Sequence, residues 1–99
     1  MTTTHDDIVI TNNEAAHRFE AHVAGQVAVA EYTLAGKRII FTHTQVPEVL
    51  RGRGVADTLI HTALEYARAE QLEVVPRCPF VAAYLRRHPE YQTLVRPGG

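Results

Sequence analysis

Residues 46–56, Val-Pro-Glu-Val-Leu-Arg-Gly-Arg-Gly-Val-Ala, decide how this chain folds. Residues 38–46 have the β-branched and aromatic composition of a strand, and residues 55–71 have the apolar spacing of an amphipathic helix. The stretch between them is therefore predicted to be a loop that leads from a strand into a helix N-terminus. Such a terminus offers unpaired N–H groups and a partial positive charge, which together form an anion site.

The residue types in this loop suit a phosphate ligand. Gly52 and Gly54 permit positive φ and a close approach of the backbone, and Arg51 and Arg53 supply forked, charged donors. The loop has neither the Gly-Lys-Ser/Thr ending of a Walker A motif nor the G-x-G-x-x-G dinucleotide fingerprint. A turn rich in Gly and Arg before a helix is also often only a turn, so the loop alone leaves both interpretations open.

Periodicity divides the rest of the chain into short elements. Glycine-containing turns connect three predicted strands into an antiparallel meander: 18–23, 26–34 and 38–46. The helix at 55–71 then makes a right-handed crossover to a parallel strand at 72–77. The predicted fold class is α/β with a mixed sheet: a meander, a parallel β-α-β crossover and a C-terminal helix. Further elements are predicted as a strand at 8–10, a helix at 79–87 that begins with Pro79, and a strand at 91–95.

The crossover brings two strand ends together. Val46 and Cys78 mark the carboxyl ends of the neighbouring parallel strands 38–46 and 72–77, so they are expected at the same edge of the sheet. Ligands of α/β sheets bind in the crevice outside such ends. The loop and the cysteine are therefore predicted to flank one cleft.

Composition narrows the class of protein. Ninety-nine residues predict one domain spanning 1–99, and a net charge of −1 gives no electrostatic reason to expect nucleic acid or a membrane as partner. One cysteine excludes an internal disulfide, and no histidine pair has the spacing of a metal site, so no metal is predicted. Without a signal segment the expected location is the cytoplasm. Residues 1–6 and 97–99 are predicted to be frayed ends.

Residues 51–56 also fit a known signature. Arg51-Gly52-Arg53-Gly54-Val55-Ala56 matches the Arg/Gln-x-x-Gly-x-Gly/Ala pattern of the GCN5-related N-acetyltransferases, which hold the pyrophosphate of acetyl-CoA. The blocks 43–47, 50–54 and 78–81, followed by Tyr84, resemble the short, single-domain branch of that superfamily. The resemblance implies a GNAT-like fold and acetyl-CoA as co-substrate.

The resemblance also implies which residues bind the co-substrate. The loop N–H groups of Arg53, Gly54, Val55 and Ala56 would hold the pyrophosphate, with Arg51 and Gly52 completing the loop. Val46 and its neighbours would pair with the extended pantetheine arm and polarise the acetyl carbonyl.

Two candidate catalytic residues follow the second parallel strand. Cys78 follows Arg77 and precedes a predicted helix N-terminus, which favours a thiolate. Its possible roles are acyl-accepting nucleophile, general acid or wall of the acetyl pocket, and the alternative is a buried small hydrophobe. Tyr84 lies on the helix where many members of the superfamily carry a tyrosine that protonates the leaving thiolate. The alternative to this catalytic role is that Tyr84 only packs in the core.

Two further residues are candidate general bases. His43 points, by strand alternation, to the same face as Ile39 and Phe41, where it would act as a base or as a core histidine. Glu48 lies in the loop itself and is either the base or a solvated carboxylate.

The leading functional hypothesis is an acetyl-CoA-dependent N-acetyltransferase that works by direct attack in a ternary complex. The acceptor would be a small amine, a polyamine or an exposed lysine, and the protein would be a monomer or a weak dimer. The alternatives are a CoA-binding module with little turnover and a domain whose Arg-Gly loop binds RNA. Near-neutral charge argues against the RNA-binding alternative.

Overall fold

Alternating apolar and polar side chains shape the first half of the chain into a meander. The computed structural model describes residues 8–95, in which four antiparallel strands are followed in the sheet by a fifth that lies parallel to the fourth. The predicted mixed α/β sheet is confirmed. The strands are β1 (Val9–Asn13), β2 (Arg18–Val23), β3 (Gln26–Ala35), β4 (Arg38–Gln45) and β5 (Glu73–Pro76).

Two α-helices follow the meander in the described range: α1 (Val55–Ala69) and α2 (Pro79–Arg87). The predicted bounds of α2 agree with the structure. Helix α1 ends two residues before the predicted 71, because Gln71 takes a positive φ of 58° and turns the chain towards β5. The predicted frayed ends, residues 1–6 and 97–99, lie outside the described residues.

Both helices pack on one face of the sheet and form one core with it. Small residues on β2 and β3, Ala21, Ala28 and Ala30, are fully buried and let α1 lie close to the strands. The larger side chains that fill the remaining space are Phe19, Tyr32, Ile39, Phe41, Leu59, Ile60, Leu64, Val74, Val81 and Leu85. We call the face that carries this core the inner face.

A β-bulge in β4 changes which side chains reach the inner face. Phe41 pairs with Tyr32, but the next residue of β3, Glu31, pairs with His43, so Thr42 is the extra residue. Alternation restarts after it, and Thr44 pairs with the buried Ala30 on the inner face. The prediction that His43 shares the face of Ile39 and Phe41 is wrong, because the bulge turns His43 to the exposed outer face.

The two parallel strands separate just beyond the bulge. Pairing between β4 and β5 ends with Phe41 and Pro76, and the Cys78 N–H then donates to the Phe41 carbonyl at 2.8 Å. From there the chain enters α2, while β4 continues alone on that side to Gln45. The gap places the carboxyl ends of both strands at one edge of the sheet, as predicted.

The prediction of a last strand at residues 91–95 is wrong. Most of residues 91–95 belong to a 3₁₀ helix, Pro89–Leu94, and within the described range only Val95 makes a parallel bridge, to Val74. The Tyr91 ring is buried, and its hydroxyl donates to Glu65 Oε2 at 2.5 Å and lies 2.9 Å from His61 Nδ1. The 3₁₀ helix brings this side chain back onto α1.

We expect Tyr91→Phe to lower the free energy of unfolding by about 1 kcal/mol, because it removes the hydroxyl that binds Glu65 and His61. The hydrogen bond from Tyr91 lowers the pKa of Glu65 below its ordinary 4.5. This contribution is therefore present above about pH 4.5 and is lost as the pH falls through the lower folded-state value. Urea denaturation at pH 7 and at successively lower pH should show that the effect of the substitution decreases as Glu65 becomes protonated.

The matched control is the same substitution in a Glu65→Gln background. Its effect on the free energy of unfolding should then no longer depend on pH in this acidic range. Equal effects at all these pH values in the wild-type background would contradict the assignment of this hydrogen bond.

Candidate functional site

The loop that leads from β4 to α1 is held by its own backbone and by one buried side chain. A 3₁₀ turn, Glu48–Leu50, follows Pro47, and Leu50 is buried in the core. Arg51 Nε donates to the Val46 carbonyl at 3.3 Å, which ties the loop back to the end of β4. These contacts attach the loop to the core and to the end of β4.

Helix α1 begins without a side-chain cap. Gly54 occupies the N-cap position with φ of 77°, and as a glycine it offers no side chain to accept from the first-turn N–H groups. The first hydrogen bond of the helix runs from the Thr58 N–H to the Gly54 carbonyl at 3.0 Å. The N–H groups of Val55, Ala56 and Asp57 precede that bond, so the helix leaves them free for an anion.

The positive φ angles explain why glycine is found at both positions. Gly52 has φ of 80° and Gly54 has φ of 77°, a region that disfavours other residues. A Cβ added at either position would meet no atom within 4 Å. The constraint is therefore on backbone conformation, and the space in front of Gly54 is open.

A cleft of about 480 Å³ lies in front of this helix start, within the size range of small-molecule and cofactor sites. Six of the predicted binding residues line it, whereas Arg53 does not. Four lining residues were not predicted: Thr44, Leu50, Asp57 and Phe80. The complete lining is Thr44, Val46, Leu50, Arg51, Gly52, Gly54, Val55, Ala56, Asp57 and Phe80.

Cys78 lies beside this cleft rather than in its wall. Its side chain is buried, and its Sγ is 3.3 Å from the Oγ1 of Thr44, which does line the cleft. The thiol therefore lies at the gap between β4 and β5, in hydrogen-bond contact with a cleft hydroxyl. The bulge is the reason for this contact, because it turns Thr44 inward.

Tyr84 is a core residue in this structure. It is buried on α2, stacks on the His88 ring with centroids 4.0 Å apart, and is not among the residues that line the cleft. Burial, with a smaller effect of the nearby Asp57 carboxylate, raises the pKa of the Tyr84 hydroxyl above its ordinary value. The phenol therefore keeps its proton at neutral pH.

The two candidate bases are both exposed, and neither lines the cleft. His43 lies on the outer face of the sheet, and Glu48 lies in the 3₁₀ turn of the loop. The structure thus brings the loop, Val46 and the Thr44–Cys78 pair together. It separates His43 from them and leaves Tyr84 in the core.

An ion pair at the rim of the cleft was missed by the sequence analysis. Asp57, in the first turn of α1, accepts from Arg87 Nη2 at 3.3 Å, and Arg87 is the last residue of α2. Thirty positions separate the two residues, so no local pattern indicates the contact. An acidic residue in a first helical turn, near a predicted anion site, was the available signal.

Two other properties concern the described part of the chain. None of its helices has the length and apolar character needed to cross a membrane. Residues 8–95 contain no cluster of three or more His, Cys, Asp or Glu side chains that could hold a metal ion.

Comparison with known proteins agrees with the fold. The family model of the GCN5-related N-acetyl-transferases matches residues 18–94. The chain is 39% identical over 70 residues to Protein NATD1 of Mus musculus and to that of Homo sapiens, and 38% identical over 68 residues to that of Gallus gallus. These alignments cover 70%, 70% and 68% of this chain and 64%, 62% and 62% of the relatives, which is less than two thirds of their length. Sheet, crossover, loop and match lead to one conclusion: this chain belongs to the GCN5-related N-acetyltransferase family.

Proposed function

We propose that this protein transfers an acetyl group from acetyl-CoA to a primary amine, which attacks the thioester directly in a ternary complex. The observation that carries the proposal is the uncapped start of α1, where Gly54 has a positive φ and an open cleft lies in front of it. Free N–H groups at a helix start are suited to a diphosphate. Membership of the family supports acetyl-CoA as its source.

The walls of the cleft suit the rest of the co-substrate. Val46, Leu50 and Phe80 supply apolar surface, and Phe80 remains 37% exposed. An extended pantetheine arm needs such surface together with unpaired backbone at a strand edge. The edge of β4 beyond Phe41, where β5 has ended, meets the second requirement.

In the proposed reaction the amine nitrogen forms a bond to the thioester carbonyl carbon, and the carbon–sulfur bond breaks. The ammonium form of the acceptor first loses a proton to Glu48 or to solvent. The nitrogen, which is positively charged after the attack, then loses a second proton to solvent, and the leaving thiolate gains a proton from solvent through the Thr44–Cys78 pair at the strand gap. His43 retains a role as base only for an acceptor that approaches from the outer face.

One observation favours the alternative, a CoA-binding module with little turnover. Asp57 is the only carboxylate among the described residues that line the cleft, and it is paired with Arg87. Neither exposed candidate base lies in the wall. Binding and turnover must therefore be measured separately.

We expect acetyl-CoA and CoA to raise the melting temperature, because a ligand that binds only the folded state must stabilise it. Mass spectrometry of a panel of amines and lysine peptides should then show transfer well above the uncatalysed rate. Stabilisation without transfer would favour the binding module. No stabilisation by either ligand would contradict both functions.

We expect Gly54→Ala to raise the Kd for CoA at least about tenfold, because a Cβ would occupy the open space in front of the helix and disfavour the positive φ. Gly36→Ala is the matched control, since Gly36 has φ of 63° and equally open surroundings in the turn between β3 and β4. Each substitution should cost about 1–2 kcal/mol of stability. Calorimetric titration should show an unchanged Kd for Gly36→Ala, and equal Kd values in both variants would contradict the loop assignment.

We expect Cys78→Ala to lower kcat while leaving the Kd for CoA within about twofold, because the thiol lies at the strand gap and outside the cleft wall. Thr44→Val should have a similar effect, since it removes the hydroxyl that contacts the thiol. Intact-protein mass spectrometry with acetyl-CoA and no amine should show no acetylated enzyme. A stable acetyl adduct on Cys78 would contradict direct attack.

A further inference from the structure

The Asp57–Arg87 pair places a carboxylate in the wall of a cleft that is proposed to bind phosphates. Asp57 belongs to the first turn of α1 and lines the cleft. Its Oδ1 is 3.3 Å from Arg87 Nη2, and the two side chains are 50% and 54% exposed. An acidic side chain at the third position of a helix can reach back to the N–H of the N-cap residue, but no side-chain hydrogen bond caps α1. Asp57 is instead directed to α2.

An unpaired Asp57 would oppose the binding of phosphates. Its charge lies in the wall of the cleft, so a diphosphate bound there would experience repulsion, which is strongest at low ionic strength. Arg87 is placed to cancel that charge. Its guanidinium carbon lies 5.6 Å from the centre of the Tyr84 ring, which in turn stacks on His88. Arg87 is therefore in cation–π contact with the ring of the buried Tyr84.

We propose that Arg87 is a positioning residue of the co-substrate site, which keeps the cleft receptive to the phosphates of CoA by neutralising Asp57. The inference rests on the proposed function. It differs from a direct contact between Arg87 and a ligand phosphate, because neutralisation matters only while Asp57 carries its charge. The two roles therefore separate in a double-mutant cycle.

The test is calorimetric titration of CoA into the wild type, Arg87→Ala, Asp57→Asn and the double variant at low salt. We expect Arg87→Ala to raise the Kd about tenfold and Asp57→Asn to leave it equal or lower it. The double variant should bind within about twofold of Asp57→Asn. The effect of Arg87→Ala should shrink as salt is added, because the repulsion is screened.

Two further variants keep the test interpretable. Arg86→Ala removes an exposed neighbouring arginine and should leave the Kd unchanged. Arg87→Lys retains the positive charge and should restore most of the affinity, whereas a forked contact with phosphate would require arginine. Circular dichroism and melting temperature show whether each variant is folded.

Each possible result of the CoA titrations leads to a different conclusion. Wild-type binding together with unchanged affinity in Arg87→Ala would overturn this inference and leave the proposed function standing. A double variant as weak as Arg87→Ala would also overturn it, in favour of direct phosphate contact. Failure of the wild type to bind CoA would overturn the proposed function as well.

Discussion

The backbone conformation of Gly54 is the constraint on which the site depends. A left-handed residue at the N-cap position starts α1 without a side-chain cap, and the N–H groups of the first turn face an open cleft. A helix that begins at a serine or aspartate in the usual extended N-cap conformation has those groups bound by the cap side chain, which stabilises the helix, whereas the positive φ of Gly54 disfavours any other residue here. The chain lacks that stabilisation at the start of its longest described helix, which is consistent with a site kept free for an anion.

The bulge at Thr42 and the early end of β5 shape the cleft in front of the N-terminus of α1. The bulge turns Thr44 inward and His43 outward, and the separation of the strands after Phe41 leaves room beside Cys78. The chemistry of the site therefore depends on one extra residue in one strand. A regular β4 would put a histidine against the core and move the threonine to the outer face.

Much of the fold could be predicted because most elements have a clear period of apolar and polar residues. Strand 18–23 alternates cleanly, α2 begins at a proline, and the loop carries its glycines, so these bounds agree with the structure. The bulge has no comparable signal, since Thr42 is an ordinary strand residue. Residues 91–95 look like a strand locally, but the chain forms a 3₁₀ helix there and buries Tyr91 against α1, a contact between distant positions. The pairs Thr44–Cys78 and Asp57–Arg87 join distant positions, which no single-sequence period reveals. That the domain spans all of residues 1–99 stays a prediction.

The central claim is that the first-turn N–H groups of α1 hold the diphosphate of CoA. The most direct measurement is a titration of isotope-labelled protein with CoA, followed by the amide resonances of residues 54–57 in two-dimensional NMR spectra. Hydrogen bonds to a diphosphate should shift these amides more than those of the β3–β4 turn at residues 35–37, and the shifts should saturate with one equivalent of CoA. Unchanged resonances at 54–57, with the largest shifts elsewhere in the protein, would contradict the claim.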